Sequence, residues 1–380
     1  MTSSVNEILV LFDIKQPYDR KITDGILDAM HNSNRNLQIT FMTYDEALLV
    51  AHDQDWDAII ADFDRLPNID LCASLKAPTV AVFSNLQRMP ELTDIPVIFL
   101  APDSEKICQL ARDHLLACGC RQFAYFAGTA DDIGLWARER RLCFKQAVLE
   151  EGLNWAGAYT TQSIRHFLQT DLAPGTGFLC ASDTQARQLI TLAQNLNISI
   201  PSQLCVIGID NDEVENQLSR IPISTVTLAP SDLGKAAFEA LFELSTQHQP
   251  VTKLIQPGEV MNRLSAFLEV NDDPLLSTAL KFIYKHYHRS IKAEQVIAEC
   301  KTSRNTLESR FKTVLEKSIH QVLHDVRLEN AKDMLKNTRK GIDEVAIQCG
   351  FSSPQYLYYI FRKELGMTPT KYRELNTPEH

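Results

Sequence analysis

The sequence predicts a two-lobed α/β domain followed by an all-α domain that carries two helix–turn–helix units. Three observations predict it. Short apolar, β-branched runs alternate with helix-patterned segments through the first 265 residues, the signature of parallel sheets with helical crossovers. Near residue 270 the pattern changes, and the remainder of the chain reads as helix. The length of 380 residues also exceeds one core, because about 100 to 200 residues per domain gives two or three domains.

The strand candidates, in order, are Ile8 to Phe12, Ile39 to Met42, Ala58 to Ala61, Thr79 to Phe83, Phe123 to Phe126, Phe178 to Cys180 and Cys205 to Ile209. Between them, Arg20 to His31, Lys106 to Ala117, Trp136 to Glu150, Thr184 to Leu196 and Ser231 to Thr246 place apolar residues three and four apart, as amphipathic helices do. Seven strands fit one large sheet, but the late second start near Phe123 favours two lobes. The polar stretch Leu268 to Asp273, closed by Pro274, sets the boundary between a domain over 1–270 and one over 275–380.

In the second domain Ala293 to Cys300 forms a short helix, Lys301-Thr302 the turn, and Ser303 an N-cap for the next helix. Leu307, Phe311 and Leu315 fall on one buried face, leaving Arg304, Asn305, Glu308, Ser309 and Lys312 outward. The arrangement recurs about fifty residues on. Ile342 to Cys349 is the first helix, Gly350-Phe351 the turn, and Pro354 suits the first position of a helix whose Leu357, Ile360 and Phe361 face inward. Gln355, Tyr358, Tyr359 and Arg362 face outward there. A long helix, His320 to Asn337, separates the units, so that two recognition helices enter successive major-groove faces about 34 Å apart.

Charge agrees with this division. Residues 275–380 carry 18 Lys and Arg against 12 Asp and Glu, while the rest carries 20 against 36; a basic segment on an acidic body fits nucleic-acid binding. The nine cysteines are scattered without a Cys-x-x-Cys spacing, which reads as small buried hydrophobes in a reducing compartment. His286-x-His288 lacks partner ligands for zinc, and no metal or cofactor is expected. No apolar run of roughly 18 residues spans a bilayer and the N-terminus lacks a basic signal-peptide region, so a cytoplasmic protein without a membrane partner is expected. An enzyme is disfavoured by the lack of a nucleophile motif or phosphate-binding glycine loop.

Open parallel sheets bind ligands at the carboxyl ends of their strands. Asp64, Asp183 and Asp210 sit just beyond such ends, Arg140 offers a guanidinium fork, and Tyr18 and Trp136 offer flat apolar faces. Carboxylates and guanidinium bind neighbouring hydroxyls, and aromatic faces cover C–H surface, so the set suits a small polyhydroxylated molecule. Each aspartate fits equally a cap on the helix that comes after it.

Two family resemblances sharpen these readings. Arg327 to Ala331, Gly350-Phe351, Tyr356 to Phe361 and Gly366 to Pro369 resemble the AraC/XylS regulator signature. That resemblance implies operator DNA as partner, with two major-groove contacts per subunit. It implies base-facing roles for Arg304, Asn305, Glu308, Ser309, Gln355 and Tyr359; Lys301, Lys312, Arg362 and Lys363 suit phosphate contacts. The stretch from Ile8 to Ser265, strongest over Cys205 to Asp212 with Ser224 to Val226, resembles the ligand domain of the lactose-repressor and periplasmic sugar-binding family. It implies a periplasmic-binding-protein-like clamp, and Arg138-Glu139-Arg140 falls where that family places a ligand-contacting arginine. A transport receptor would share the clamp but need export. The combination, with Tyr18-Asp19-Arg20, Ala61 to Asp64, Trp136 to Arg140 and Ser303 to Lys312, resembles the enterobacterial xylose-operon regulators. This likeness implies a homodimeric activator of xylose uptake and catabolism genes that acts with RNA polymerase and responds to D-xylose, with Asp19 added to the sugar site. The alternative is an AraC-type regulator of another pentose or hexose.

Overall fold

Strands that are apolar on both faces need cover on both faces, and helical crossovers supply it. The computed structural model describes residues 7–33, 35–84, 90, 92, 95–129, 134–244, 250–267 and 273–376. The first lobe runs β1 (Glu7–Leu11), α1 (Pro17–Asn32), β2 (Gln38–Met42), α2 (Tyr44–Val50), β3 (Ala58–Asp62), α3 (Leu66–Leu75), β4 (Thr79–Val82) and β5 (Val97–Pro102). The second runs α4 (Ser104–Ala117), β6 (Gln122–Phe126), α5 (Leu135–Glu150), β7 (Asn154–Tyr159), α6 (Ile164–Thr170), β8 (Thr176–Cys180), α7 (Asp183–Asn195), β9 (Leu204–Ile209), α8 (Glu213–Leu218) and β10 (Ser224–Val226). The chain then returns to the first lobe for α9 (Pro230–Ala240) and β11 (Val251–Ile255), and crosses once more for β12 (Val260–Met261).

Two lobes, not one sheet, result. Their strand orders are β11-β5-β4-β3-β1-β2 and β12-β10-β9-β8-β6-β7; the described pairings are parallel except β10 with β12. All seven expected strands form. β5 escaped the sequence reading because prolines bracket its apolar run, and β7 and β11 because edge strands are half-exposed and carry a weaker pattern. The helix expected over Ser231 to Thr246 is regular only through Ala240, and residues 245–246 lie outside the described residues. So does most of the expected boundary, over residues 268–272.

The C-terminal part is helical: α10 (Pro274–His286), α11 (Ala293–Glu299), α12 (Arg304–Leu315), α13 (Ile319–Asn337), α14 (Ile342–Gln348), α15 (Pro354–Leu365) and α16 (Pro369–Asn376). Both recognition helices start as the sequence predicts. The Thr306 amide donates to Ser303 Oγ at 3.1 Å and the Tyr356 amide to Ser353 Oγ at 3.1 Å, each satisfying an orphan donor of a first turn. The second turn requires glycine, because Gly350 has φ 74° and a Cβ there would meet the Tyr287 carbonyl oxygen at 2.0 Å. Two separate cores flank α13. Val322, Leu323 and Val326 join Leu307 and Phe311, whereas Leu328, Ala331 and Leu335 join Leu357, Ile360 and Phe361. One helix is thus the shared wall of both helix–turn–helix units, which fixes their spacing. No described helix is long and apolar enough to cross a membrane.

Asp273 ties the entry of this part together. Its carboxylate accepts from the Leu275 and Leu276 amides at 3.1 Å each, capping α10, and pairs with Arg310 at 3.0 Å. Arg310, though exposed, therefore has its charge engaged at the start of α10. Asp273→Ala leaves buried amides unpaired and is expected to cost about 1 to 2 kcal/mol, read as a lower urea midpoint for the C-terminal transition of the full chain.

Candidate effector cleft and nucleic-acid interface

The strand ends of both sheets converge on a cavity of about 370 Å³ between the lobes. From the first lobe come Phe12, Tyr18, Asp19, Asp62, Asp64 and Ser84; from the second come Gly134, Trp136, Arg140 and Asp210. Each first-lobe carboxylate is held by neighbours. The Asp13 amide donates to Asp19 Oδ2 at 3.1 Å, and the Asp64 amide to Asp62 Oδ1 at 2.9 Å. Asp64 accepts from the Ser84 amide at 3.0 Å and the Ser84 hydroxyl at 2.7 Å. Arg65 closes the group, 3.0 Å from Asp13 and 3.4 Å from Asp62.

Across the cleft Arg140 is nearly buried, at 6% exposure. It donates Nη1 to the Ala181 carbonyl at 2.7 Å, lies 3.9 Å from Asp210 Oδ1, and stacks 4.8 Å from the Trp136 ring. α5 holds it there, because the buried Tyr125 hydroxyl donates to the Ala137 carbonyl at 2.9 Å. Asp210 comes after β9 with φ 105° and Asn211 with φ 51°. Such backbone in a residue with a Cβ costs about 1 to 3 kcal/mol, and here it turns the Asp210 carboxylate into the cleft.

Electrostatics oppose the ionised forms. Burial pushes Asp62 up to about 8, helped by the negative charges of Asp64 and Asp19. Burial likewise raises Asp19 to about 6 against the Asp13 amide and Arg65, and Asp210 to about 6 against Arg140 and Lys21. Asp64 is also raised by burial, with the Ser84 hydrogen bonds holding it down, and the Tyr18 phenol is raised by burial above all. At neutral pH the cleft therefore offers acceptors at Asp19 and Asp210, and a neutral acid at Asp62 that can donate as well as accept.

Six of the seven residues expected at the sugar site, Tyr18, Asp19, Asp64, Trp136, Arg140 and Asp210, are brought to this cavity. Asp183 is not on its wall. It lies beneath Gly208, where a Cβ would come within 2.0 Å of Asp183 Oδ1, and its Oδ2 accepts from the Asp212 amide at 2.7 Å. Its place is under the β9 turn, shaping the loop that carries Asp210. The other wall residues were missed, among them the polar Ser84, Asp62 and Arg65. Ser84 obeys the same strand-end rule as Asp64, being just past β4, while Asp62 and Arg65 flank Asp64 in sequence.

The expected DNA-facing residues are open to solvent on α12 and α15 with one exception. Arg304, Asn305, Ser309, Lys312, Gln355, Tyr359 and Arg362 are exposed, and Arg304 makes a surface pair with Glu294 at 3.3 Å. Glu308 instead points along the fold, its Oε2 accepting from the Ile319 amide at the start of α13, at 3.3 Å. Tyr358, read as outward, turns to α16 and contacts the Thr370 hydroxyl at 2.9 Å.

A two-lobed receptor with a polar cleft, joined to paired helix–turn–helix units on a shared helix, defines a transcription regulator that carries its own small-molecule sensor. Family models match three stretches: an XylR N-terminal domain over residues 7–104, a periplasmic binding protein-like domain over 112–266 and a helix-turn-helix domain over 297–375. The chain is 31% identical to the xylose operon regulatory protein of Escherichia coli K12, over 99% of both chains. It is also 31% identical to that of Haemophilus influenzae, over 98% of this chain and 99% of the relative. A solved structure of the xylose-binding transcription activator XylR superposes with a TM-score of 0.65 at 29% identity, covering 99% of this chain and 100% of that one. The chain belongs to the family of xylose operon regulatory proteins.

This geometry has two testable outcomes. Asp210 has a folded pKa above its ordinary 3.8, so the native state binds the proton more tightly and stability falls as pH rises from about 4 to 6. Asp210→Asn removes that penalty; its ligand-free melting temperature should exceed the parent's at pH 7, with the gap narrowing towards pH 4. A gap independent of pH would exclude a raised Asp210 pKa as its cause. On α12, Asn305→Ala should change the base preferred at one operator position by about 1 to 3 kcal/mol, read by selection from randomised duplexes. Glu308→Ala should lower stability without altering that preference.

Proposed function

We propose that this protein is a xylose-responsive activator: a pentose bound between the lobes controls how the two helix–turn–helix units meet operator DNA. The observation that carries the reading is the single cleft where Asp19, Asp64 and Asp210 face Arg140 and the flat rings of Tyr18 and Trp136. Paired carboxylates and guanidinium address vicinal hydroxyls, and the rings cover the sugar's C–H face. The family supplies D-xylose as the first candidate. Residues 1–270 form the sensor and 275–380 the DNA-binding domain, acting as a homodimer in the cytoplasm and contacting RNA polymerase at the promoter.

Ligand energy drives a switch only if it differs between open and closed clamps. By linkage, sugar and operator then tighten each other's binding equally, typically by about 5-fold to 150-fold. Fluorescence anisotropy on an operator duplex, with and without saturating D-xylose, should show an increase in that range for the full-length dimer. Equal affinities would remove an affinity-based switch. Calorimetry against a panel of pentoses and hexoses tests the effector itself: D-xylose should bind tightest, Asp210→Ala should weaken it by about two orders of magnitude, and binding should weaken below about pH 6 as Asp19 and Asp210 take up protons. A hexose that outcompetes D-xylose would reassign the effector. The fragment 275–380 should bind DNA with affinity falling steeply in salt, as counterion release requires.

A further inference from the structure

The residue after the cleft carboxylate faces the other way. Asp210 enters the cleft, while Asn211 leaves towards the helical domain. Asn211 is anchored on three sides: its amide donates to Thr225 Oγ1 at 3.2 Å, its Oδ1 accepts from Arg263 Nη2 at 2.8 Å, and its Nδ2 donates to Asp333 Oδ1 at 2.7 Å. Arg263 is nearly buried and held in turn by the Ile223 carbonyl at 2.9 Å. Asp333 lies on α13, the shared wall of both helix–turn–helix units.

A second pair of contacts lies close by. Arg339 and Lys340, neighbours in the turn between α13 and α14, reach opposite lobes: Arg339 lies 3.7 Å from Asp24 on α1, and Lys340 Nζ lies 2.7 Å from Glu213 at the start of α8. Lys340 also donates to Gln348 on α14 at 2.8 Å. The DNA-binding domain is thereby attached to the strand end that carries Asp210 and spans the two lobes whose angle the effector sets.

We infer that Asn211 is the positioning residue that carries effector binding to the DNA-binding domain, through its bond to Asp333. A ligand that pulls Asp210 moves the adjoining backbone. Arg263 keeps the Asn211 side chain from swinging independently, and Thr225 holds its backbone amide, so the shift arrives at α13 as a change in the seating of the whole helical domain. A half-buried, charge-assisted hydrogen bond suits this task. It is directional, yet weak enough to break and remake between two seatings.

This inference rests on the proposed sugar-controlled DNA binding, and the experiment separates the two. Operator affinity of the full-length protein is measured by anisotropy, with and without saturating D-xylose, for the parent, Asn211→Asp, Asp333→Asn and the double variant; D-xylose binding is measured for each by calorimetry. Asn211→Asp removes the donor and sets two carboxylates against each other, Asp333→Asn keeps a neutral amide–amide hydrogen bond, and the double variant restores a charge-assisted donor–acceptor pair with its polarity reversed. All should still bind D-xylose; Asn211→Asp should lose most of the sugar-induced rise in operator affinity, Asp333→Asn should lose less of it, and the double should regain it. An Asn211→Asp variant that responds like the parent, or a double as unresponsive as Asn211→Asp, would overturn the role of Asn211 and leave the sugar switch standing. An unresponsive parent would overturn the switch and this inference together.

Discussion

Carboxylates kept from full hydration at the ends of two facing sheets are the constraint on which this molecule turns. Asp19, Asp62, Asp64 and Asp210 all have their pKa values raised by burial, so charge in the cleft is unfavourable, and backbone amides, Ser84, Arg65 and Arg140 are what hold it there. A hydroxyl-bearing molecule placed there would replace lost water with hydroxyl donors and so offset that penalty without any need for a large apolar contact.

Much of this was legible in the sequence because strong periodicity marks buried elements. The strands from Ile8, Ala58 and Cys205 are apolar on both faces, and the strand-end rule then leads directly to Asp64 and Asp210. Helix starts were equally plain: Ser303 as N-cap and Pro354 at the first helical position opened the two recognition helices as their chemistry requires. What could not be read is tertiary reuse of side chains. Asp183 comes after a strand in the same way as Asp210, yet the close approach allowed by Gly208 makes it a prop for the neighbouring turn. Glu308 fits the outward stripe of α12, but the α13 start comes within reach of its carboxylate. Periodicity assigns a face, and only packing says what lies over it.

The same distinction applies to domain organisation. The shift to helical pattern near residue 270 located the second domain, but nothing local announced that Asp333, Arg339 and Lys340, all in or next to a helix that reads as a spacer, contact the sensor. Those contacts join residues more than a hundred positions apart and are polar on both sides. They leave no hydrophobic trace in either segment.

The route of the chain between the lobes has a mechanical consequence. Among the described residues three segments cross the gap: from β5 to α4, from β10 to α9, and from β11 to β12. One crossing would leave a swivel, free to twist and slide as well as bend. Three side by side behave as a door hung on several pins: twisting or sliding one sheet against the other strains all three, whereas bending about their common line does not.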